Sequence, residues 1–242
     1  MQTVKSLADI KNIPMRERPR WYVSEALVTR IPIQDAHEPL VSVNELMKKN
    51  GLSFVSTPES GTKLLLRKSV AERLVTALRT LIQCSQGTLT FKITDAFRPL
   101  TLQKKYFEEI KKNIAQKENL SGHALWERVT QFIADPDLCP PHTTGGAVDL
   151  TLVTAENGEE IPMGTSMNTI NDLANTWHLS IPPHEHENRK KLFDAMTSAG
   201  FVNLATEWWH YSYGDQYWAA FTIAPHAIYG SIENNFDSSA NG

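Results

Sequence analysis

The hydrophobic pattern of the chain changes from a helical period to a strand period at Gly87, and this change constrains the fold most. Upstream, SVAERLVTALRTLIQCSQG starts with Ser69 and Glu72 in capping-box spacing and is predicted to form a helix that ends near Gly87. The apolar stripe of this helix consists of Val70, Leu74, Leu78, Leu81 and Ile82. Downstream, TLTFKITDAFRP alternates apolar and polar residues, which predicts a half-buried strand that leads to Asp95 and Arg98.

Further elements follow without a regular alternation of helix and strand. Helices are predicted in TLQKKYFEEIKKNIAQKE, HALWERVTQFIAD and NRKKLFDAMTSAGF, and strands in AVDLTLVT and in EWWHYSYG, which begins near Glu207. This irregular order predicts an α+β fold with a small central, mainly antiparallel sheet flanked by helices. A single domain is expected over residues 1–242, and residues 236–242 have the composition of a disordered tail.

The charge of the chain and its N-terminus limit the classes of partner. A formal net charge of −3 gives no sign of the basic patch that is typical of nucleic-acid binding. No run approaches the roughly 20 apolar residues of a membrane span, and the first twenty residues lack the apolar core of a signal peptide. We therefore expect a cytoplasmic protein that acts on a small molecule or peptide, without a nucleic-acid or membrane partner. A chain whose leader had been removed would look the same and be periplasmic.

The stretch PHTTGGAVDL places a histidine and two glycines ahead of an aspartate in a strand. His142 and Asp149 are seven residues apart, and Gly145 and Gly146 allow the chain to fold back so that both side chains reach one point. His210 adds a second imidazole. Two imidazoles and a carboxylate are ligand types that zinc prefers, and a catalytic zinc keeps its fourth position for water. The sequence therefore predicts one zinc ion (Zn2+) per chain, carried by the central sheet.

Two more polar residues complete a chemical interpretation. Glu207 lies three residues before His210 and is predicted to accept a proton from water and pass it to a leaving amine. Because residues i and i+3 of a regular strand face opposite ways, EWWH needs a bend or a bulge. Arg98 is predicted to stabilise the charge that develops on a carbonyl oxygen, with simple pairing to Asp95 as the alternative. A metal, a base and a fixed cation together predict hydrolysis of an amide bond.

Each feature also has a plain structural interpretation. A lone histidine near a strand is more often hydrogen-bonded for structure than bound to a metal, and ExxH by itself is a weak signal. The cluster HEHE, from His184 to Glu187, follows two prolines and is interpreted as a solvated loop or helix start. The metal prediction therefore depends on the motifs in combination.

In combination, the motifs resemble those of a known family. HTTGGAVDL fits the first motif of the zinc D-Ala-D-Ala peptidases and EWWHY resembles their second motif, with DAFRP upstream and MGT downstream of the first. The chain therefore resembles the D-alanyl-D-alanine dipeptidases of the vancomycin-resistance type over about residues 64–213. The resemblance implies a small α+β domain and zinc-dependent hydrolysis of D-Ala-D-Ala in the cytoplasm. It implies three zinc ligands, a catalytic base and a transition-state arginine, which are His142, Asp149, His210, Glu207 and Arg98.

Two positions depart from the family pattern. Pro140 stands where the family usually has a serine, and it has no hydroxyl to offer a substrate. Asn168 stands where the family tends to have an aspartate for the amino group of the dipeptide, and an amide supplies no counter-charge. Asn168 is predicted to bind the substrate. A D,D- or L,D-carboxypeptidase acting on longer cell-wall peptides, and a zinc-binding recognition module without activity, stay as alternatives.

Overall fold

The computed structural model describes residues 2–14, 17–18, 21–58 and 63–232. Its strands are β1 (Gln2–Val4), β2 (Trp21–Val23), β3 (Leu40–Ser42), β4 (Val55–Ser56), β5 (Leu65–Arg67), β6 (Leu89–Asp95), β7 (Ala147–Thr154), β8 (Val202–Asn203) and β9 (His210–Ser212). Its helices are α1 (Leu7–Lys11), α2 (Glu25–Val28), α3 (Val43–Lys49), α4 (Lys68–Cys84), α5 (Leu100–Glu118), α6 (Gly122–Val129), α7 (Pro183–Ser198) and α8 (Gln216–Thr222). The tail predicted to be disordered, residues 236–242, lies outside the described residues.

The central sheet has five strands in the order β4-β6-β7-β9-β8. Strand β4 runs parallel to β6, and the other neighbouring strands are antiparallel. Two small pairs, β1 with β2 and β3 with β5, lie outside this sheet. The predicted α+β class with a mainly antiparallel central sheet is therefore confirmed.

Helices α4 and α7 pack against the central sheet and against each other. The α4 stripe is buried as predicted at Val70, Leu74, Leu78 and Leu81, while Ile82 is half-buried. On the sheet, Phe91 and Ile93 pair with Leu152 and Leu150 and join the same core. Burial of each such side chain contributes about 1.5–3 kcal/mol. The alternate residues of β7, which include Asp149, consequently face away from these helices.

The first turn of α4 is held differently from the prediction. Helix α4 begins at Lys68 with Arg67 at the N-cap, so Ser69 lies inside the helix. The backbone N–H and the hydroxyl of Ser69 both donate to the Glu38 carboxylate, at 2.8 and 2.9 Å. The predicted capping box of Ser69 and Glu72 is therefore wrong, because a carboxylate from a distant segment satisfies the first turn instead.

Helices α5 and α6 form a hairpin beside the sheet with a small core of its own. That core consists of Phe107, Ile114, Leu125 and Val129. Helix α5 starts immediately after Arg98 and Pro99, so the hairpin is connected directly to the exit of β6. Within the described residues, no helix combines the length and the apolar character that crossing a membrane requires.

Candidate metal and catalytic site

Three neighbouring strands place polar residues in one row across the sheet. Asp95 of β6 is paired with Asp149 of β7, and Asp149 is paired with His210 of β9. In a regular β6, Asp95 would share a face with Phe91 and Ile93, which lie in the core. A register shift between Ile93 and Asp95 instead brings Asp95 opposite Asp149, as a bulge does when it re-aims a side chain. The row therefore lies on the sheet face opposite α4 and α7.

His142 joins this row from the loop before β7. It lies in a short 3-10 turn, Pro141–Thr144, and its carbonyl accepts from the backbone N–H of Arg98 at 3.0 Å. Its Nδ1 is 2.7 Å from the carbonyl oxygen of Ala96, so Nδ1 is the protonated nitrogen that donates to it. The other ring nitrogen, Nε2, lies 3.3 Å from Oδ2 of Asp149 and is left with a lone pair for a ligand.

The glycines before β7 allow the turn that the sequence predicts, and one of them also makes a close contact that was not predicted. Gly145 adopts φ +72°, and a Cβ there would lie 2.6 Å from Cδ2 of Leu40. At Gly146 the constraint is a close approach, since a Cβ would lie 2.6 Å from the carbonyl oxygen of Tyr213. The backbone N–H of Tyr213 donates to the Gly146 carbonyl at 2.9 Å. These glycines let the chain turn from His142 into β7 while β9 packs alongside.

His142, Asp149 and His210 form a buried cluster that fits a divalent metal ion. Nδ1 of His210 lies 2.9 Å from Oδ1 of Asp149, and one ligand atom from each of the three residues lies within 4.8 Å of the others. The three residues are at most 8% exposed. Donors about 2.1 Å from a tetrahedral zinc ion are roughly 3.4 Å apart, which is close to the observed separations. Two imidazoles and a carboxylate therefore suit zinc by both chemistry and spacing.

The electrostatics of the cluster in the absence of a cation are those of an ion pair. Burial by itself lowers the pKa of His142, but the Asp149 and Asp95 carboxylates outweigh burial and raise it to about 9. Burial by itself raises the pKa of Asp149, but His142 and His210 outweigh it and bring that pKa far below its usual range. In the absence of a cation, the raised pKa of His142 therefore favours a protonated imidazole beside Asp149.

Glu207 lies in a turn rather than in a strand. Strand β9 begins at His210, so the prediction that the strand begins near Glu207 is wrong. The backbone N–H of His210 donates to the Glu207 carbonyl at 3.2 Å, which closes the turn. The turn is the predicted bend, and it allows Glu207 and His210, three residues apart, to face the same site. Burial raises the pKa of Glu207, and Asp149 raises it further, against the opposing effects of His210, His142 and Arg98.

Asn203 fastens this turn and was not predicted from the sequence. Its amide donates to the carbonyls of Glu207 and His210, both at 3.0 Å, and its Oδ1 accepts from the Thr176 hydroxyl at 2.5 Å. Asn203 is fully buried, so these bonds satisfy its whole amide. A polar residue just before a predicted strand gives no local sign of this role.

Arg98 is held at the exit of β6 by two side chains. Its Nη2 pairs with Oδ2 of Asp95, and its Nη1 donates to Oε1 of Gln103 at 2.8 Å. The contact between Arg98 and Asp95 that the alternative interpretation predicted is therefore present. That pairing uses only part of the guanidinium, since an arginine has five N–H groups. Gln103 was not predicted; its position four residues before Phe107, on the buried side of α5, was the available signal.

Asn168 lies in an exposed turn. It adopts a left-handed conformation with φ +61°. The loop around it reaches the site at two points. The indole N–H of Trp208 donates to the Thr165 hydroxyl at 2.9 Å, and the Met167 sulfur lies 3.9 Å from the Thr94 hydroxyl. Asn168 is thus carried by a loop that borders the site.

A buried arginine of α7 holds this loop at both ends. Arg189 donates to the backbone carbonyl oxygens of Met163, Leu173 and Asn175, at 2.6, 2.9 and 2.7 Å. Its side chain is 1% exposed, and burial lowers its pKa to about 10. Because three carbonyls share one rigid guanidinium, the loop has a defined position relative to the sheet.

The HEHE cluster lies at the start of helix α7. A helix start was one of the two structures predicted for it. His184 and Glu187 lie in the first turns of α7 and are exposed. Among the described residues, metal-ligating side chains converge at His142, Asp149 and His210 and not at the HEHE cluster.

A buried cluster of two histidines and one carboxylate, with a second acid and an arginine nearby, is typical of metal-dependent hydrolases. Residues 47–228 match the peptidase M15 family, described as D-ala-D-ala dipeptidase, so the chain belongs to this peptidase family. The predicted resemblance, and with it the prediction of a peptidase-family enzyme, is confirmed.

Relatives named D-alanyl-D-alanine dipeptidase are about one-third identical to this chain over the aligned residues. The one from Synechocystis sp. is 32% identical over 240 residues, which is 84% of this chain and 95% of the relative. The one from Escherichia coli K12 is 31% identical over 140 residues, 57% of this chain and 62% of the relative. The one from Enterococcus faecium is 35% identical over 75 residues, 31% of this chain and 37% of the relative.

Proposed function

We propose that the protein is a zinc dipeptidase that hydrolyses D-Ala-D-Ala or a close D-amino-acid dipeptide. The observation that carries the proposal is the convergence of His142, Asp149 and His210 to within 4.8 Å, in a chain of the D-ala-D-ala dipeptidase family. Three relatives of the chain are named D-alanyl-D-alanine dipeptidase, which supports activity on that dipeptide.

One zinc ion per chain is proposed, held by Nε2 of His142, a carboxylate oxygen of Asp149 and Nδ1 of His210. When bound, zinc supplies a Lewis acid that polarises a carbonyl group and acidifies water. The bond from Nδ1 of His142 to the Ala96 carbonyl orients that ring and keeps the ligating nitrogen unprotonated. Pairing of Asp149 with His210 across two strands keeps both ligands on rigid backbone.

Glu207 is proposed as the general base and then the general acid. Its carboxylate takes a proton from the attacking water and delivers it to the amine that leaves when the C–N bond breaks. Its pKa is raised by burial, which brings the carboxyl closer to the range in which it can both accept and release a proton. Asn203 holds the turn that carries Glu207, and this keeps the carboxylate in position between the two proton transfers.

Arg98 is proposed to stabilise the oxyanion. A guanidinium beside the scissile carbonyl interacts more strongly with the tetrahedral species, whose oxygen is negative, than with the neutral substrate. Asp95 and Gln103 hold this guanidinium before substrate arrives, so little reorganisation is needed. Asn168 is proposed to accept a hydrogen bond from the substrate amino group, from the loop that Arg189 positions.

The first test is release of free D-alanine from D-Ala-D-Ala by the purified protein, with added zinc and with a chelator. Zinc-dependent release is the expected result. An N-acylated peptide is assayed in parallel for comparison. Cleavage of the acylated peptide without cleavage of free D-Ala-D-Ala would indicate a carboxypeptidase instead. Bound zinc without turnover of either substrate would contradict the proposal. The extent of the domain over residues 1–242 and the cytoplasmic location stay predictions.

A further inference from the structure

Gln103 is a polar residue on the buried side of an amphipathic helix. It is 1% exposed, and the other buried residues of α5 are Phe107 and Ile114. A glutamine is rarely buried to this extent, because its amide must find partners that replace water. Its burial therefore points to a role for the amide itself.

Both ends of the Gln103 amide are engaged, and their orientation is chemically unambiguous. Oε1 accepts from Nη1 of Arg98 at 2.8 Å, and Nε2 donates to the carbonyl oxygen of Ala134 at 2.7 Å. Because a guanidinium has no acceptor and a carbonyl has no donor, the amide cannot be reversed without losing both bonds. Gln103 thus connects Arg98 to the segment that follows α6.

Asp95 alone does not fix the plane of the Arg98 guanidinium. A single contact between Nη2 and Oδ2 allows the group to rotate about that contact, whereas a second contact at Nη1 removes this freedom. The Arg98 Nε–H is also buried, and it makes no hydrogen bond to any of the described residues. The guanidinium is therefore held at two nitrogen atoms while unused N–H groups are left for a substrate oxygen.

We propose that Gln103 is a positioning residue that orients Arg98 for stabilisation of the oxyanion. This inference rests on the proposed function, because it assigns to Gln103 an effect that passes through Arg98. An interaction that matters only when charge develops lowers kcat when it is lost and leaves KM nearly unchanged. A purely structural role for Gln103 would instead lower the amount or stability of folded enzyme, whatever residue occupies position 98.

The test is a double-mutant cycle with Gln103→Met and Arg98→Ala. Methionine is close to glutamine in size and has no amide, so Gln103→Met removes both bonds with little change in volume. We expect Gln103→Met to lower kcat for D-Ala-D-Ala about tenfold, with KM within about twofold, in the presence of Arg98. In the Arg98→Ala background the same change is expected to lower kcat by less than about twofold, since its target is gone.

A second readout does not depend on turnover. The dissociation constant of a phosphinate analogue, whose tetrahedral phosphorus bears an anionic oxygen, is measured by calorimetry for all four proteins of the cycle. Gln103→Met is expected to weaken this binding about tenfold only when Arg98 is present. This measurement replaces kinetics if Arg98→Ala is too slow to assay.

The matched control is Trp126→Phe. It removes the 2.6 Å bond from the Trp126 indole to Oδ2 of Asp135, which also ties α6 to the segment after it but does not involve Arg98. Normal kcat is expected for this variant, with zinc content equal to that of wild type. If Gln103→Met does not fold, Gln103→Glu is used in its place. A carboxylate facing Arg98 competes with the oxyanion, so its effect is also expected to require Arg98.

The outcomes separate the inference from the proposed function. Equal losses of kcat and of analogue binding in both backgrounds, or no effect of Gln103→Met at all, would overturn the positioning role while wild type stays active. A wild-type protein that binds zinc but cleaves no D-amino-acid peptide would overturn the proposed function and this inference together.

Discussion

Asp149 lies directly opposite His210 in the β7–β9 ladder, and its Oδ1 is 2.9 Å from Nδ1 of His210. Two of the three proposed zinc ligands are therefore related by strand pairing alone. The third, His142, reaches the same carboxylate from the 3-10 turn before β7. A ligand set built on paired strands is rigid, which favours a metal site that exists before the metal arrives.

Removal of any one ligand is expected to remove the zinc. His142→Ala, Asp149→Asn and His210→Ala should each contain less than about a tenth of the wild-type zinc after dialysis, since each change takes away one of three protein donors. The metal is measured by mass spectrometry on purified protein. His184→Ala is the matched control and should keep one zinc ion per chain, because His184 is exposed on α7. Equal loss in the control would point to binding elsewhere.

Substitution of the proposed base should separate metal binding from catalysis. Glu207→Gln is expected to keep zinc and to lower kcat about 10²- to 10⁴-fold, because an amide cannot accept the proton from water. Zinc content and D-alanine release are measured on the same preparation. Glu187→Gln, an exposed change of the same kind in α7, should be as active as wild type. An active Glu207→Gln variant would assign the base to another group.

Zinc affinity should rise with pH up to about 9. The pKa of His142 is raised to about 9 in the metal-free protein, so below that pH its imidazolium must lose a proton before zinc can bind. The apparent affinity is expected to increase roughly tenfold per pH unit between pH 7 and 8.5 and to level off above 9. Competition with a chelator of known zinc affinity measures this, and calorimetry in two buffers counts the released protons. A flat profile across this window would contradict a shifted His142.

Introduction of an acid at position 168 should strengthen recognition of a free amino group. Asn168→Asp is expected to lower KM for D-Ala-D-Ala by about threefold to tenfold, because a carboxylate supplies the counter-charge that an amide lacks. KM for an N-acylated peptide should not improve, since that substrate has no ammonium group. Parallel kinetics on the two substrates test this. An equal change for both would place Asn168 away from the amine.

The approach of Gly146 to β9 should make it intolerant of a side chain. Gly146→Ala places a Cβ 2.6 Å from the Tyr213 carbonyl oxygen, and we expect a loss of about 2–4 kcal/mol in the free energy of unfolding. Gly51→Ala is the control, because it has φ +68° but nothing within 4 Å, so its cost is conformational and about 1 kcal/mol. Urea denaturation of the metal-free proteins gives both values. Similar losses for the two variants would mean that β9 moves aside.

The accuracy of the sequence interpretation varied with the range of the interactions involved. The α4 stripe and the glycine turn before Asp149 depend on residues a few positions apart, and both were predicted. The cap at Ser69 was wrong because Glu38, 31 residues away, takes the place of Glu72. The strand start at Glu207 was wrong because the turn there is stabilised by Asn203, whose amide reaches two of its carbonyls.

By itself, the sequence determined which chemical groups are available: two imidazoles, a carboxylate, an acid three residues before His210, and an arginine at the end of a strand. Local periodicity and motif spacing carry that information, because they describe residues close together in the chain. Only the tertiary structure decided how these groups face one another. The shift at Thr94 turned Asp95 toward Asp149, and Gln103 of α5 came to hold Arg98. Both depend on cross-strand register and on packing between distant segments, which are set by the burial of the whole core rather than by any local pattern.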